Sequence, residues 1–222
     1  MKVSVIVPVL NEASRIATTL ERLQDARKKG HEVIVVDGGS TDGTSEQAMP
    51  LADLVLTGPA GRARQMNTGA RAASGEVLWF LHADTLAPLD AIDTMDAALA
   101  DGHRCWGRFD VQLSGSSWLF RIIEQAMNLR SAVTRIATGD QGIFVRREAF
   151  NAVGGFPNEP LMEDVALVRK LARQGRLIVL PGPILVNARR WQQHGVIRQT
   201  LRNWSLLAAY FAGVSPRTLA PR

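Results

Sequence analysis

Short unbroken apolar runs alternate along the chain with longer segments whose apolar residues recur every three or four positions. Val3 to Val9, His31 to Val36 and Val77 to Leu81 have the length and character of strands buried on both faces, and Asp53 to Thr57 reads as a short third strand in the series. After the first run, Ile16, Leu20 and Leu23 fall at helical spacing, with Lys28 and Lys29 in a final turn and Gly30 as a stop. Asn11 is placed to cap that helix. A strand, a helix and a strand in so short a span form a βαβ unit, whose strands are expected to be parallel and its crossover right-handed. Gly61 to Arg71 follows as a basic, Gly-punctuated helix.

Beyond Leu81 the pattern predicts a helix over Ala91 to Ala100, a strand over Cys105 to Leu113, and a helix from Ser117 to Thr134 with Trp118, Ile122 and Met127 as its apolar residues. Ile143-Phe144-Val145 is a short strand, and Glu163-Asp164 opens a helix with an apolar side of Val165, Val168, Leu171 and Ala172. Two short strands, Leu177 to Leu180 and Ile184 to Val186, flank Pro181-Gly182-Pro183. A tail helix runs from Val196 to Gly213. The expectation is an α/β domain over 1–194 with a mostly parallel sheet flanked by helices, and a C-terminal amphipathic helix and tail over 195–222.

The 222 residues are 46% hydrophobic and 21% charged, values of an ordinary globular protein. Lys and Arg number 26 against 21 Asp and Glu, a net charge of +5 that suits a phosphorylated ligand, nucleic acid or an acidic membrane surface. No base-reading module is present, so nucleic acid ranks last. Cys105 stands alone, which excludes an internal disulfide and a cysteine-based metal cage and favours a reducing cytoplasm. The apolar N-terminal run is broken by Pro8 and lacks a small-residue cleavage site, so it reads as a strand and not a signal peptide. No apolar stretch reaches the roughly 20 residues needed to span a bilayer. The apolar part of the tail, Trp204 to Ala212, covers roughly 15 Å. It suits packing on the domain or a homodimer first. The remaining option is a peripheral position at the inner face of the membrane, with Arg198, Arg202 and Arg217 near the headgroups.

Candidate chemistry gathers where apolar runs end. The run from Val77 stops in His82-Ala83-Asp84, and open α/β sheets bind ligands at the carboxyl ends of their strands. The plain alternative is that Asp84 caps a helix starting near Pro88. The second strand runs into Asp37-Gly-Gly-Ser-Thr-Asp-Gly-Thr44, where Asp37 either contacts a nucleotide's base or ribose or belongs to a strand-to-helix turn capped by Ser40, Thr41 and Asp42. Neither the dinucleotide fingerprint nor the P-loop spacing is present. Arg62 and Arg64 stand at the start of the basic helix, suited to a phosphate. Thr138-Gly-Asp-Gln-Gly142 is a polar turn, and Glu163-Asp164 would be favourable at a helix N-terminus on dipole grounds alone.

Val-Ile-Val-Pro-Val-Leu-Asn-Glu12, Val36-Asp-Gly-Gly-Ser-Thr-Asp-Gly-Thr44, the strand ending in His82-Ala83-Asp84, and Gly154-Gly155-Phe156 followed by Met162-Glu163-Asp164 occur in this order. In this the chain resembles the family 2 glycosyltransferases, from Met1 to about His194, and within them the compact bacterial subgroup sometimes called selenodomain-associated. The resemblance implies a GT-A-type, Rossmann-like domain and a hexosyltransferase that takes a nucleotide-sugar donor, UDP-linked by preference, and a hydroxyl acceptor. It implies that Pro8, Leu10, Asn11 and Glu12 lie against the base and that Asp37 reads uracil or ribose, with Arg64, His82 and Ala83 also on the nucleotide. It places Asp84 and His194 on a divalent cation, Mn²⁺ or Mg²⁺, and Asp140, Gln141 and Arg190 at the donor sugar or acceptor, Arg189 and Arg190 also serving the diphosphate. Asp164, with Glu163 beside it, is implied as general base for a displacement with inversion. The sequence departs from the family at His82, where an aspartate is usual. That departure motivates the alternative of a nucleotide-sugar-binding protein with impaired turnover. A sugar nucleotidyltransferase is the other alternative, but the Gly-rich, Lys/Arg-containing signature expected after the first strand is missing.

Overall fold

The computed structural model describes residues 1–220, with the side chains of Arg190 and His194 outside that description. Its strands are β1 (Val3–Val9), β2 (Glu32–Asp37), β3 (Leu54–Thr57), β4 (Val77–Phe80), β5 (Thr85–Leu86), β6 (Trp106–Leu113), β7 (Phe144–Arg146) and β8 (Ile178–Val186). They form one eight-stranded sheet in the order β3-β2-β1-β4-β7-β6-β8-β5. β1 pairs in parallel with β2 and with β4, as the βαβ pattern requires. From β4 onward the sheet is mixed: β7 runs antiparallel to β4 and β6, while β8 is parallel to β6.

The helices are α1 (Ile16–Glu21), α2 (Gln24–Lys28), α3 (Thr44–Ala48), α4 (Arg62–Ala72), α5 (Ala91–Leu99), α6 (Trp118–Thr134), α7 (Arg147–Ala152), α8 (Glu163–Leu171), α9 (Arg189–His194), α10 (Val196–Phe211) and α11 (Pro216–Leu219). They cover both sheet faces, and strand alternation divides the core between them. Val3, Val5, Val7 and Val9 of β1, with Val77, Trp79 and Leu81, pack against Ile16, Leu20 and Leu23. Ile6, Leu78 and Phe80 point the other way, to Ala63 and Met66 of α4 and Leu167 and Val168 of α8. The alternation persists past β4. Ala83 is buried in the first cluster, which leaves His82 and Asp84 half-buried in the opposite phase, the phase of α4 and α8.

Several expectations are corrected. The helix after β1 is two short helices, and its N-cap is Arg15 without a side-chain bond, not Asn11. Asn11 adopts φ 55° and its Oδ1 accepts the Thr41 N–H at 3.0 Å, so joining two loops takes the side chain that capping would have used. Asp84 caps nothing, because the helix after it starts at Ala91 behind Asp90. Trp118 and Ile122 are 69% and 53% exposed; α6 instead buries Phe120, Ile123, Glu124 and Ser131. β8 is continuous through Pro181-Gly182-Pro183, which bulges between the Phe109–Leu180 and Val111–Ile184 pairs. Both prolines are exposed there, where a strand tolerates the missing N–H. Of α10, only Gln199 is buried. No helix among the described residues is long and apolar enough to cross a membrane.

Candidate active site

A cavity of about 370 Å³ opens at the carboxyl ends of β1 and β4. Pro8, Leu10 and Glu12 form one wall, His82, Ala83 and Asp84 a second, and Arg62 and Gln65 at the start of α4 a third. Asp140, Asn187, Trp191, Gln199 and Asn203 close it. A second cavity of about 170 Å³ adjoins it through Arg62, Asp140, Trp191 and Asn203, and there Glu163 and Asp164 form part of the lining.

Arg62 ties the two together. Its Nε lies 3.2 Å from Glu163 Oε1. Desolvation opposes the charge on its guanidinium, but Glu163, Asp164, Asp140 and Asp84 outweigh that and raise its pKa. Glu163 is buried; burial first, then the neighbouring Asp164, pushes its carboxyl above the usual range, and Arg62 pulls it back in part. Asp164 Oδ2 accepts the Gly139 N–H at 2.6 Å, and His82 Nδ1 lies 3.5 Å from Asp140 Oδ1. The turn at 139–141 thus fastens the end of β4 to the start of α8. Gly139 allows this approach, since a Cβ there would lie 2.6 Å from His82 Nε2 and 3.6 Å from Asp164 Oδ2.

Pro8, Leu10, Glu12, His82, Ala83, Asp84 and Asp140 therefore share one cavity, and Glu163 and Asp164 border the next. Four expected residues are not in the lining of either cavity. Arg64 Nε donates to Asn158 Oδ1 at 2.9 Å, away from the cavity; two residues along a helix is about 200° of rotation, so Arg62 and Arg64 cannot share a target. Gln141 is fully buried and its Oε1 accepts the Thr138 N–H. Asn11 holds Thr41. Asp37 Oδ1 accepts from the Gly39 and Ser40 N–H groups and from Ser40 Oγ, and its Oδ2 accepts from Ser45 Oγ. Burial works against the Asp37 charge, but the bonds from Ser45, Ser40 and Gly39 prevail and hold its carboxyl below the usual range. The side chains of Arg190 and His194 lie outside the described residues, though Trp191 on the same helix lines both cavities.

Gln65 and the C-terminal residues were not singled out by motif. Gln65 stands one turn from Arg62, so helical phase would have found it. Its Nε2 donates to Val9 O at 2.7 Å and Val36 O at 2.8 Å, fixing α4 to the ends of β1 and β2. Asn187, Gln199 and Asn203 arrive from distant elements with no local signal.

No three His, Cys, Asp or Glu side chains among the described residues converge as a metal cage. The cavity does offer Asp84, whose carboxylate makes no hydrogen bond or ion pair among the described residues. One free carboxylate beside a space for phosphate oxygens is the donor set that Mg²⁺-like cations use. The residues present fit such an ion.

The sequence profile of glycosyl transferase family 2 matches residues 4–154. The undecaprenyl-phosphate 4-deoxy-4-formamido-L-arabinose transferase of Serratia proteamaculans is 26% identical over 157 residues, 65% of this chain and 48% of that protein. The structure is similar to that of the mannosyltransferase PcManGT from Pyrobaculum calidifontis in complex with GDP-Man and Mn²⁺, with a TM-score of 0.67 and 28% identity over 84% of this chain and 56% of that one. It also shares its fold with S. aureus TarS in complex with UDP, at a TM-score of 0.69, 24% identity, and 84% and 60% coverage. The chain spans about half the length of such relatives. The architecture is the GT-A fold. With β1 from Ser4, β2 to β7, and Pro8, His82, Asp84 and Asp140 of the first cavity inside the matched region, the chain belongs to glycosyl transferase family 2.

Proposed function

We propose that the protein is an inverting glycosyltransferase that moves a sugar from a nucleotide-sugar, UDP-linked by preference, to an acceptor hydroxyl. The observation that carries this reading is the pair of joined cavities with a carboxylate in each: Asp84 on the first, Asp164 on the second, and Arg62 on both. The donor's diphosphate suits the first cavity, within reach of Arg62. Asp84 would hold a divalent cation there, which when bound would offset negative charge on the leaving diphosphate.

Asp164 acts on the acceptor. The acceptor oxygen bonds to the anomeric carbon as the bond from that carbon to the diphosphate oxygen breaks, and the hydroxyl proton passes to Asp164. The Gly139 N–H holds Oδ2 and the Val165 N–H holds Oδ1, at 2.6 Å and 2.7 Å, which together set the direction in which the remaining lone pairs face. Glu163, paired with Arg62, holds that guanidinium at the junction of the cavities.

Thermal protection tests the donor half. A nucleotide-sugar held at 100 times its dissociation constant with Mn²⁺ should add about 2.7 kcal/mol to the unfolding free energy. Asp84→Asn should lose the Mn²⁺-dependent part. Equal protection by UDP-sugars with chelator present, in wild type and Asp84→Asn alike, would remove the metal from the account.

A further inference from the structure

We infer that the acceptor is a neutral long-chain alcohol whose hydroxyl lies at Asp164 and whose apolar chain runs along a groove between α6 and α10. This rests on the reading of Asp164 given above. The second cavity does not end at the catalytic carboxylates. It continues through Arg130, Trp204 and Leu207 into an open groove of about 330 Å³. A path therefore leads from the donor cavity, past Asp164, to the surface.

The chemistry changes along that path. The second cavity mixes charged groups with Ile123, Met127 and Leu161. The groove adds Ile136, Ala208 and Phe211 to Trp204 and Leu207. A small polar acceptor would leave those walls wet and gain nothing from them, whereas an alkyl or isoprenoid chain removes them from water. α10 is shaped for this. Trp204, Ala208 and Phe211 recur at helical spacing on one face, and Trp204 and Phe211 remain 46% and 45% exposed. Exposed apolar residues that continue a binding cavity mark a ligand surface more than a stray patch.

Charge selects the head group. The second cavity has the carboxylates of Asp140, Glu163 and Asp164 against the guanidiniums of Arg62 and Arg130. An anionic head would lie against the carboxylates of Glu163 and Asp164, while a hydroxyl meets a base. A neutral alcohol fits both.

The test titrates 1-hexanol, 1-decanol and decyl phosphate into wild type and Ala208→Phe, with nucleotide affinity measured on the same preparations. Four added methylenes, worth about fourfold each when fully buried, should make decanol bind wild type at least roughly tenfold tighter than hexanol. Decyl phosphate should bind more weakly than decanol. Ala208→Phe sets a ring in the groove and should erase the chain-length preference. With a working nucleotide-sugar, wild type should also glycosylate decanol faster than hexanol. Equal affinities for the two alcohols, tighter binding of decyl phosphate, or an indifferent Ala208→Phe overturns the proposal. So does a dimer, or binding to anionic phospholipid vesicles, that Ala208→Phe abolishes while decanol fails to bind; the groove would then serve a second copy or a membrane. Failure of nucleotide binding in wild type sinks the donor reading instead, independently of the alcohol titration.

Discussion

Gly139 is the residue on which the two halves of the site meet. Its N–H reaches Asp164, and its missing side chain makes room for His82. Gly139→Ala should cost about 1–3 kcal/mol by overpacking and lower nucleotide affinity and transfer together, because the displaced group is His82 in the wall of the first cavity, while Asp164 at 3.6 Å stays in ordinary contact. Denaturant unfolding and calorimetry with UDP check both, and a variant with unchanged turnover contradicts the arrangement. Glu163 gives a pH signature. Its carboxyl is raised by burial and by Asp164, so the folded state favours the protonated form. That contribution is complete below the ordinary glutamate value of about 4.3 and is lost as pH rises through the raised value. Glu163→Gln cannot ionise, so its stability relative to wild type should climb over the pH interval that opens above about 4.3. A flat difference across that interval contradicts the shift.

At the scale of elements, α4 carries a prediction of its own. Arg62 faces the cavities, while Arg64 faces Asn158. Arg62→Gln should weaken nucleotide binding by the worth of a charged hydrogen bond, about 1.5–3 kcal/mol, and Arg64→Gln should change it little; the reverse order in a calorimetric titration would reject the assigned helix face. Helical phase excludes a shared target for the two arginines, but the sequence alone did not say which one turned inward, since Gly61 gives no apolar reference for the first turn. The strands were legible for a simpler reason. β1, β2 and β4 are buried on both faces, so their apolar runs had no competing reading, and the exit of His82 and Asp84 on one side followed from alternation. α6 was misread because its exposed stripe, Trp118 and Ile122, is as apolar as its buried one. Asn11 failed as a cap because a loop contact distant in sequence, with Thr41, competed for the same side chain.

Across the whole molecule the site divides as the sequence does. Pro8, Asp84 and Asp140 of the first cavity lie within the family match, whereas Glu163 and Asp164 of the second, and Trp191 and Asn203 on both, lie beyond residue 154. Motifs in order made the first half visible. In the second half Glu163 and Asp164 of α8 are legible from their own motif, whereas α9 and α10, whose approach to the cavity depends on the chain's path after β7, leave no local pattern to read. The net charge of +5 agrees with an anionic donor without fixing where it binds; Arg62 between two cavities gives that charge a place.

Asp164→Asn tests the central claim most directly, with melting temperature, UDP affinity and transfer rate measured on one preparation. Asparagine keeps the shape and can still accept the Gly139 N–H but gives up the Val165 N–H that Asp164 Oδ1 accepts at 2.7 Å, so the melting temperature should fall only modestly and UDP affinity should hardly move. Transfer should fall by roughly 10²–10⁴-fold, the usual contribution of a positioned base. A folded variant that binds UDP normally and transfers sugar at the wild-type rate would contradict the account.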